Sequence, residues 1–332
     1  MKNDQPPLTV SELGYLWTGL SINDMSAQIM EQFHHHAADP QIKQLFRMAC
    51  DVTEELLANR KELLEEAGYP EPSGFSPADR NRQAPRLFTD NYLLHYLRTG
   101  AKLGLTFHAR SLVAATRADI RRHLEECLQS TARLYQAVID VMLAKGIYWR
   151  TPSLPTPEEP EKMHKKSYLQ GIFGHARPLN SIEISNLYES IELMHTIGAL
   201  CIGFAQTAET RESAHLFEQG SNLAKEGSKA LGNLLAEAEL PLPPSLNAEI
   251  TDSRQPVFSE RLMLCHIAGL FGSLLTQLGY SFGSVMRHDV VVVFTEMIAT
   301  VGAYSEKVTR ELIEREWLDK PPGAIDRKAL TT

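Results

Sequence analysis

Apolar residues recur every three or four positions along most of the chain, the period of an α-helix with one buried face. The series Leu13, Leu16, Leu20, Asn23, Ala27, Met30, His34 predicts a first helix. Ile42, Leu45, Phe46, Ala49, Val52, Leu56, Leu63 and Leu64 predict a second over about 41–67, stopped by Gly68 and Pro70. Leu94, Leu97, Ala101, Gly104, His108, Ser111 and Ala115 mark a third, and Ile120, Leu124, Cys127, Thr131, Leu134, Val138 and Val141 a fourth. Four comparable stripes follow: one from Ile184 to Ala205, one over about 212–239, one from Leu264 to Val285 and one from Val290 to Val308.

The second four repeat the first. A shift of about 170 residues, a period that means duplicated domains, carries Leu8-Thr9 and Glu12 onto Leu179-Asn180 and Glu183. It also superimposes Leu45-Phe46 on Leu216-Phe217, Leu63-Leu64 on Leu234-Leu235, and Pro70 and Pro72 on Pro241 and Pro243. After a one-residue deletion Phe88, Leu94, Ser111, Arg117, Asp119 and Glu126 fall on Phe258, Leu264, Ser281, Arg287, Asp289 and Glu296. Each copy opens with Leu-[Thr/Asn]-x-x-Glu, a capping box that starts a helix.

Connection lengths choose a topology. Short links join helices one to two and three to four, so each pair is an antiparallel hairpin. Helices two and three of the first copy are separated by a long segment rich in turn formers, Tyr69-Pro-Glu-Pro-Ser-Gly-Phe-Ser-Pro-Ala-Asp79. A helix of this length spans about 39 Å, and roughly 22 extended residues reach about 73 Å, so the connector can run the length of the bundle. The expected fold is all-α: two tandem ferritin-like four-helix bundles, each with a long crossover from its second to its third helix. The expected boundaries are 8–150 for the first bundle, 151–176 for a linker and 177–322 for the second.

Among the 332 residues, 41 acidic against 33 basic give a net charge of −8, which argues against nucleic acid as a partner. The four cysteines are far apart and form no Cys-x-x-Cys pair, so they read as small buried hydrophobes of a reducing compartment. The N-terminus lacks the pattern of a secretory signal, and the most apolar run, 197–205, is too short for a span of about 20 residues. A cytoplasmic protein without a membrane span is expected, its outer bundle faces open to homo-oligomerisation.

Leu8-Thr9 with Glu12 and Trp17, Gly74-Phe75, Ala84-Pro-Arg-Leu-Phe88 with Asp90, Arg117-Ala-Asp-Ile120, Arg177-Pro-Leu-Asn180, Phe258-Ser259 and Trp317 before Pro321-Pro322 form a set of short motifs along the chain. On these residues the sequence resembles the bacterial domain-of-unknown-function family 3231. The resemblance implies a duplicated ferritin-like fold from spore-forming Gram-positive bacteria, hence a role in sporulation and a place in the forespore or spore. It transfers no activity and no catalytic residue.

A carboxylate di-metal centre of a ferritin-like bundle needs Glu from two helices and Glu-x-x-His from the other two. Glu31-x-x-His34, Glu192-x-x-His195, Glu212-x-x-His215 and Glu161-x-x-His164 match the spacing, but neither fourth helix carries one, so the set is incomplete in both copies. Smaller constellations remain as places for a transition metal ion. His108 and Glu126 stand about equally far from the turn between helices three and four, with His123 one turn from Glu126. In copy two the corresponding positions are Leu278, Glu296 and Val293, and the candidates there are Glu192, His195 and His266. Each has a plainer reading, as a hydrogen-bonded core histidine or part of a solvated face. The run His34-His35-His36 points around the helix and suits its C-terminal dipole. No nucleophile elbow or phosphate-cradling glycine loop is present. The sequence therefore favours a non-enzymatic structural or binding protein, with a metal-binding protein or metal-dependent enzyme as the alternative. A third reading is a small-molecule binder with a cavity near Gly100, Gly104, Gly198 or Gly203.

Overall fold

The structure is a computed structural model that describes residues 6–163, 165–172, 176–328 and 330. Among them eight long helices occur: α1 Val10–His36, α2 Pro40–Glu66, α3 Asp90–Val113, α4 Ala118–Ala144, α5 Ser181–Thr207, α6 Arg211–Glu237, α7 Glu260–Ser284 and α8 His288–Glu314. Thr9 and Glu12 close a reciprocal capping box on α1, and Asn180 and Glu183 close its counterpart on α5. Asp39 caps α2, with Pro40 in the first turn, where its missing N–H costs nothing.

Hydrogen bonds at the helix ends fix the topology. The Glu12 carboxylate accepts from the backbone amides of Thr116 and Arg117, so the start of α1 lies against the α3–α4 turn. Burial pushes that carboxyl up, but amides of Arg117, Thr9 and Thr116 donate to it and hold its pKa at about 2. At the opposite end, Asp90 at the head of α3 accepts from the amides of Ala38 and Asp39, and Lys145 beyond α4 pairs with Asp39 at 2.6 Å. Hence α1 is antiparallel to α3 and α2 to α4, and the segment between α2 and α3 must travel the whole bundle. Copy two repeats the arrangement: Glu183 accepts from Met286 and Arg287, and Glu260 accepts from the Thr210 amide. This is the single-crossover bundle expected from the connector length.

The two copies pack as a pseudo-dimer about a twofold axis. Their crossover segments run antiparallel and bond to each other, Asn81 N–H to Val257 and Ser259 N–H to Asp79, then Thr89 N–H to Glu249 and Thr251 N–H to Leu87, all at 2.9 Å. Arg80 pairs with Phe258 while Phe88 pairs with Ile250, so equivalent positions exchange roles, as an isologous contact requires. Tyr96 and His266, equivalent residues of α3 and α7, meet near the axis with the Tyr96 hydroxyl 3.1 Å from His266 Nε2. Phe33, Phe88, Phe204 and Phe258 fill the space around them. One apolar core runs unbroken from the upper half of copy one through the axis into all of copy two.

One expectation needs correcting. The most apolar segment by span length is α7, Glu260–Ser284, which is long and apolar enough to cross a membrane by length and composition. Half of that apolar window is buried inside the molecule, where α7 packs on α5 and α8 and supplies His266 to the axis. Its composition follows from packing on two sides, a requirement that the short run 197–205 did not disclose.

Two helix C-termini differ between the copies in the residue that takes the left-handed conformation. Gly68 (φ 75°) and Gly146 (φ 67°) follow α2 and α4 in the left-handed conformation, but their counterparts are Glu239 (φ 56°) and Glu316 (φ 57°). A side chain is strained there and glycine is not. Glu239→Gly and Glu316→Gly are each expected to raise stability by about 0.5–1 kcal/mol, measured by urea unfolding. A loss of stability in both would contradict this account of the helix ends.

Candidate functional site in the first bundle

The core of copy one is divided. A lower cluster of Leu8, Leu16, Leu20, Leu64, Ile120 and Leu124 is separate from the continuous core above it. Between them lies a polar layer built on Arg60, which sits on the inner face of α2 and is fully buried. Its guanidinium lies over Gly19 of α1, where a Cβ would stand 2.8 Å from Cζ and Nε. Nη1 donates to the Gly19 carbonyl at 3.3 Å, and Nη2 reaches His108 Nδ1 at 3.4 Å and Cys127 Sγ at 3.7 Å. Cys127 in turn meets His123 Nε2 at 3.4 Å, one turn back along α4. Since Nη2 is only a donor, His108 accepts at Nδ1 and carries its proton on Nε2.

The charge is unbalanced. Among the described residues no carboxylate bonds Arg60; the nearby acids Glu55 and Glu126 lie on exposed faces and act on Cys127 instead. Burial lowers the Arg60 pKa, an effect that Cys127 opposes. Burial, then Arg60, then His123 depress His108 to about 3, and burial with Arg60 depresses His123 to about 4. Cys127 is pushed up to about 11 by burial although Arg60 pulls it down. Two buried donors have no partner: Arg60 Nε, and Nδ2 of Asn23, one turn beyond Gly19 on α1.

Copy two carries no such layer. Leu231, Leu278, Val293, Met297 and Met194 replace Arg60, His108, His123, Cys127 and Asn23, and only Ser190, at the Gly19 position, is polar. Arg60 was legible as a charged residue on the inward stripe of α2, opposite Leu231 in the repeat, but a stripe of apolar positions passes over it.

The predicted site residues divide. His108 and His123 both enter the polar layer. Glu126 does not: it precedes Cys127 on α4 and so turns to the solvent face, away from His108. The second set stays apart. Glu192 pairs with Arg98 of the other copy, His195 Nδ1 meets the Pro244 carbonyl at 2.9 Å, and His266 serves the axis. Among the described residues no group of three or more His, Cys, Asp or Glu side chains is placed to hold a metal ion. A carboxylate di-metal centre does not fit the polar layer, since no acid enters it and a guanidinium stands at its centre. His36 bonds the Ala84 carbonyl at 3.1 Å, and His164 lies outside the described residues. Of the four glycines, Gly198 approaches Ala224, Gly203 approaches Phe88 and Gly104 approaches Thr131, so these three mark close packing.

A surface cleft of about 600 Å³ lies elsewhere, between the crossovers and the end of α8. Its arginines are already committed: Arg315 to Glu260, Arg80 to Glu31, and Arg261 to the carbonyls of Ser73 and Gly74.

These features define an all-α protein of two four-helix bundles, joined tail to head and packed as a pseudo-dimer. The chain belongs to the family described as "Protein of unknown function (DUF3231)", whose model matches residues 1–159 and again 167–330. Among curated proteins none matches the chain. One solved structure is similar, that of a candidate spore coat protein from Bacillus halodurans C-125, with 18% identity and a TM-score of 0.40 over 47% of this chain and 100% of that one.

Two outcomes follow from the geometry of the layer. Gly19→Ala is expected to destabilise by about 1–3 kcal/mol through overpacking against Arg60, and Arg60→Leu in the same chain to remove most of that loss; a neutral Gly19→Ala would mean that Arg60 is not seated there. His108, with its folded pKa of about 3 below the ordinary value, binds its proton only in the unfolded chain between pH 6.5 and 3. Stability should therefore fall as pH drops through that window, and His108→Leu should flatten the slope, read by denaturation at a series of pH values.

Proposed function

We propose that the protein is a non-enzymatic binding protein in which copy two and the crossovers form the scaffold and the polar layer of copy one is the binding centre. The observation that carries this reading is Arg60, a guanidinium buried without a carboxylate in one bundle where the duplicate has Leu231. A buried charge of this kind costs several kcal/mol, and apolar residues in its place are often more stabilising. A cost retained in one copy is an argument for use. The non-catalytic reading rests on protonation: burial keeps His108 and His123 neutral and Cys127 a thiol, so none is ready as a general acid, base or nucleophile near neutral pH.

The origin in spore-forming bacteria that the family resemblance implies supports a role in sporulation, in the cytoplasm, forespore or spore. The bundles' outer faces are the surfaces for a second copy of the chain. The division at 8–150, 151–176 and 177–322 accompanies this reading, with the two bundles folding onto each other. A second reading, a transition metal held by His108 and His123, is favoured by their burial in one layer, His108 against Arg60 and His123 against Cys127, and opposed by Arg60, whose charge has the sign of the metal's. Metal analysis of untagged protein near stoichiometry, lost in His108→Leu, would favour it.

The test of the principal reading replaces the layer with its copy-two residues, by Arg60→Leu, His108→Leu, His123→Val and Cys127→Met together. The expected result is a folded protein more stable by about 1–4 kcal/mol in urea unfolding. A marked loss of stability would make the layer structural.

A further inference from the structure

We propose that the polar layer of copy one binds a small monovalent oxyanion, a carboxylate of formate or acetate size, against Arg60 and Asn23. The proposal rests on the reading of that layer as the binding centre, and adds the class of ligand.

The first argument is charge. Arg60 is fully buried and always protonated in practice, yet its neighbours are a carbonyl, a neutral imidazole and a thiol, none of them anionic. The contacts are also long, at 3.3, 3.4 and 3.7 Å, so they satisfy the guanidinium weakly. An anion would supply the missing charge and stronger acceptors.

The second argument is the polarity of what is left over. Both unpartnered atoms, Arg60 Nε and Asn23 Nδ2, are donors. Gly19 and Asn23 stand one turn apart on α1, the spacing that puts both on one helix face, and the guanidinium rests on that face at Gly19. A donor pair of this kind, one from a planar fork, matches a two-oxygen acceptor. A bare divalent cation would face these two donors and a like charge. Copy two lacks both donors, with Leu231 and Met194, and serves as a control within the same chain.

The third argument concerns Cys127, which could neutralise Arg60 as a thiolate. Its burial opposes that charge and outweighs the pull of Arg60. The thiolate is therefore the alternative that the experiment must separate.

The experiment follows thermal unfolding of the full chain in sodium formate, acetate or nitrate, against sodium sulfate at matched ionic strength. The expected result is a Tm that rises by several degrees with the logarithm of formate or acetate concentration. The same rise should be absent in Arg60→Leu and weakened in Asn23→Met. Carbon-13 formate line broadening by the wild-type protein, lost in Arg60→Leu, gives a second readout that does not depend on the variants' stability. Equal responses of wild type and Arg60→Leu, with no line broadening, would overturn the proposal. So would thiolate absorbance near neutral pH that disappears in Cys127→Ala, because Cys127 would then be the counter-ion. If the layer-replacement chain gains stability while formate has no effect, the binding-centre reading stands and this ligand class falls; if that chain loses stability, both fall.

Discussion

The structure depends on a constraint that backbone chemistry imposes on its two crossovers. Each non-proline residue carries an N–H and a C=O that must be bonded when buried, and an extended segment lying across a helical bundle finds no such partners on the helices' own backbones. The two crossovers find them in each other, through the alternating bonds of Asn81, Thr89, Thr251 and Ser259. Glutamines from the first helix of each copy take further carbonyls: Gln32 bonds Asn81 at 2.8 Å, and Gln206 bonds the equivalent Thr251 at 2.8 Å. A single bundle would leave this edge open. The duplication is thus part of how the fold satisfies its polar backbone.

Isologous pairing requires like surfaces only near the axis, and away from it the copies have diverged. Arg98 and Lys102 of α3 pair with Glu192 and Glu189 of α5, whereas the opposite side carries Ala268 and Gly272 against Ser21 and Thr18. The interiors diverge further. Copy two is apolar at each level that copy one gives to Arg60, His108, His123 and Cys127. One copy has apolar residues at these positions and the other holds a desolvated charge, which is costly to bury.

What could be read from the sequence was local. Capping boxes, stripes and the length of the connector act within one or two helices, and they gave the eight helices and the single-crossover topology. What depends on distant side chains was less accessible. Glu126 was placed level with His108 by counting from a turn, but its side is set by the rotation of α4, on which Cys127 faces inward. Arg60 was passed over because its meaning comes from the absence of an acid on three other helices. The contact of Tyr96 with His266 follows from a twofold axis, and periodicity along one chain contains no information about how two copies of a pattern meet.

The position of the polar layer explains how it can be tolerated. Along α3, His108 lies about 18 Å from Tyr96 at 1.5 Å per residue, on the far side of the apolar core that crosses the axis. Below the layer is a small separate cluster, Leu8, Leu16, Leu20, Leu64, Ile120 and Leu124, pinned by the Glu12 bonds to the α3–α4 turn. Opening of that lower part alone would expose Arg60 while the crossovers and copy two remain packed. Local opening draws on the parts of a fold with the fewest buried apolar contacts, and the lower cluster is the smaller of the two. A ligand that enters the layer therefore need not compete with the pseudo-dimer contact, because the charge and the axis belong to different parts of the same bundle.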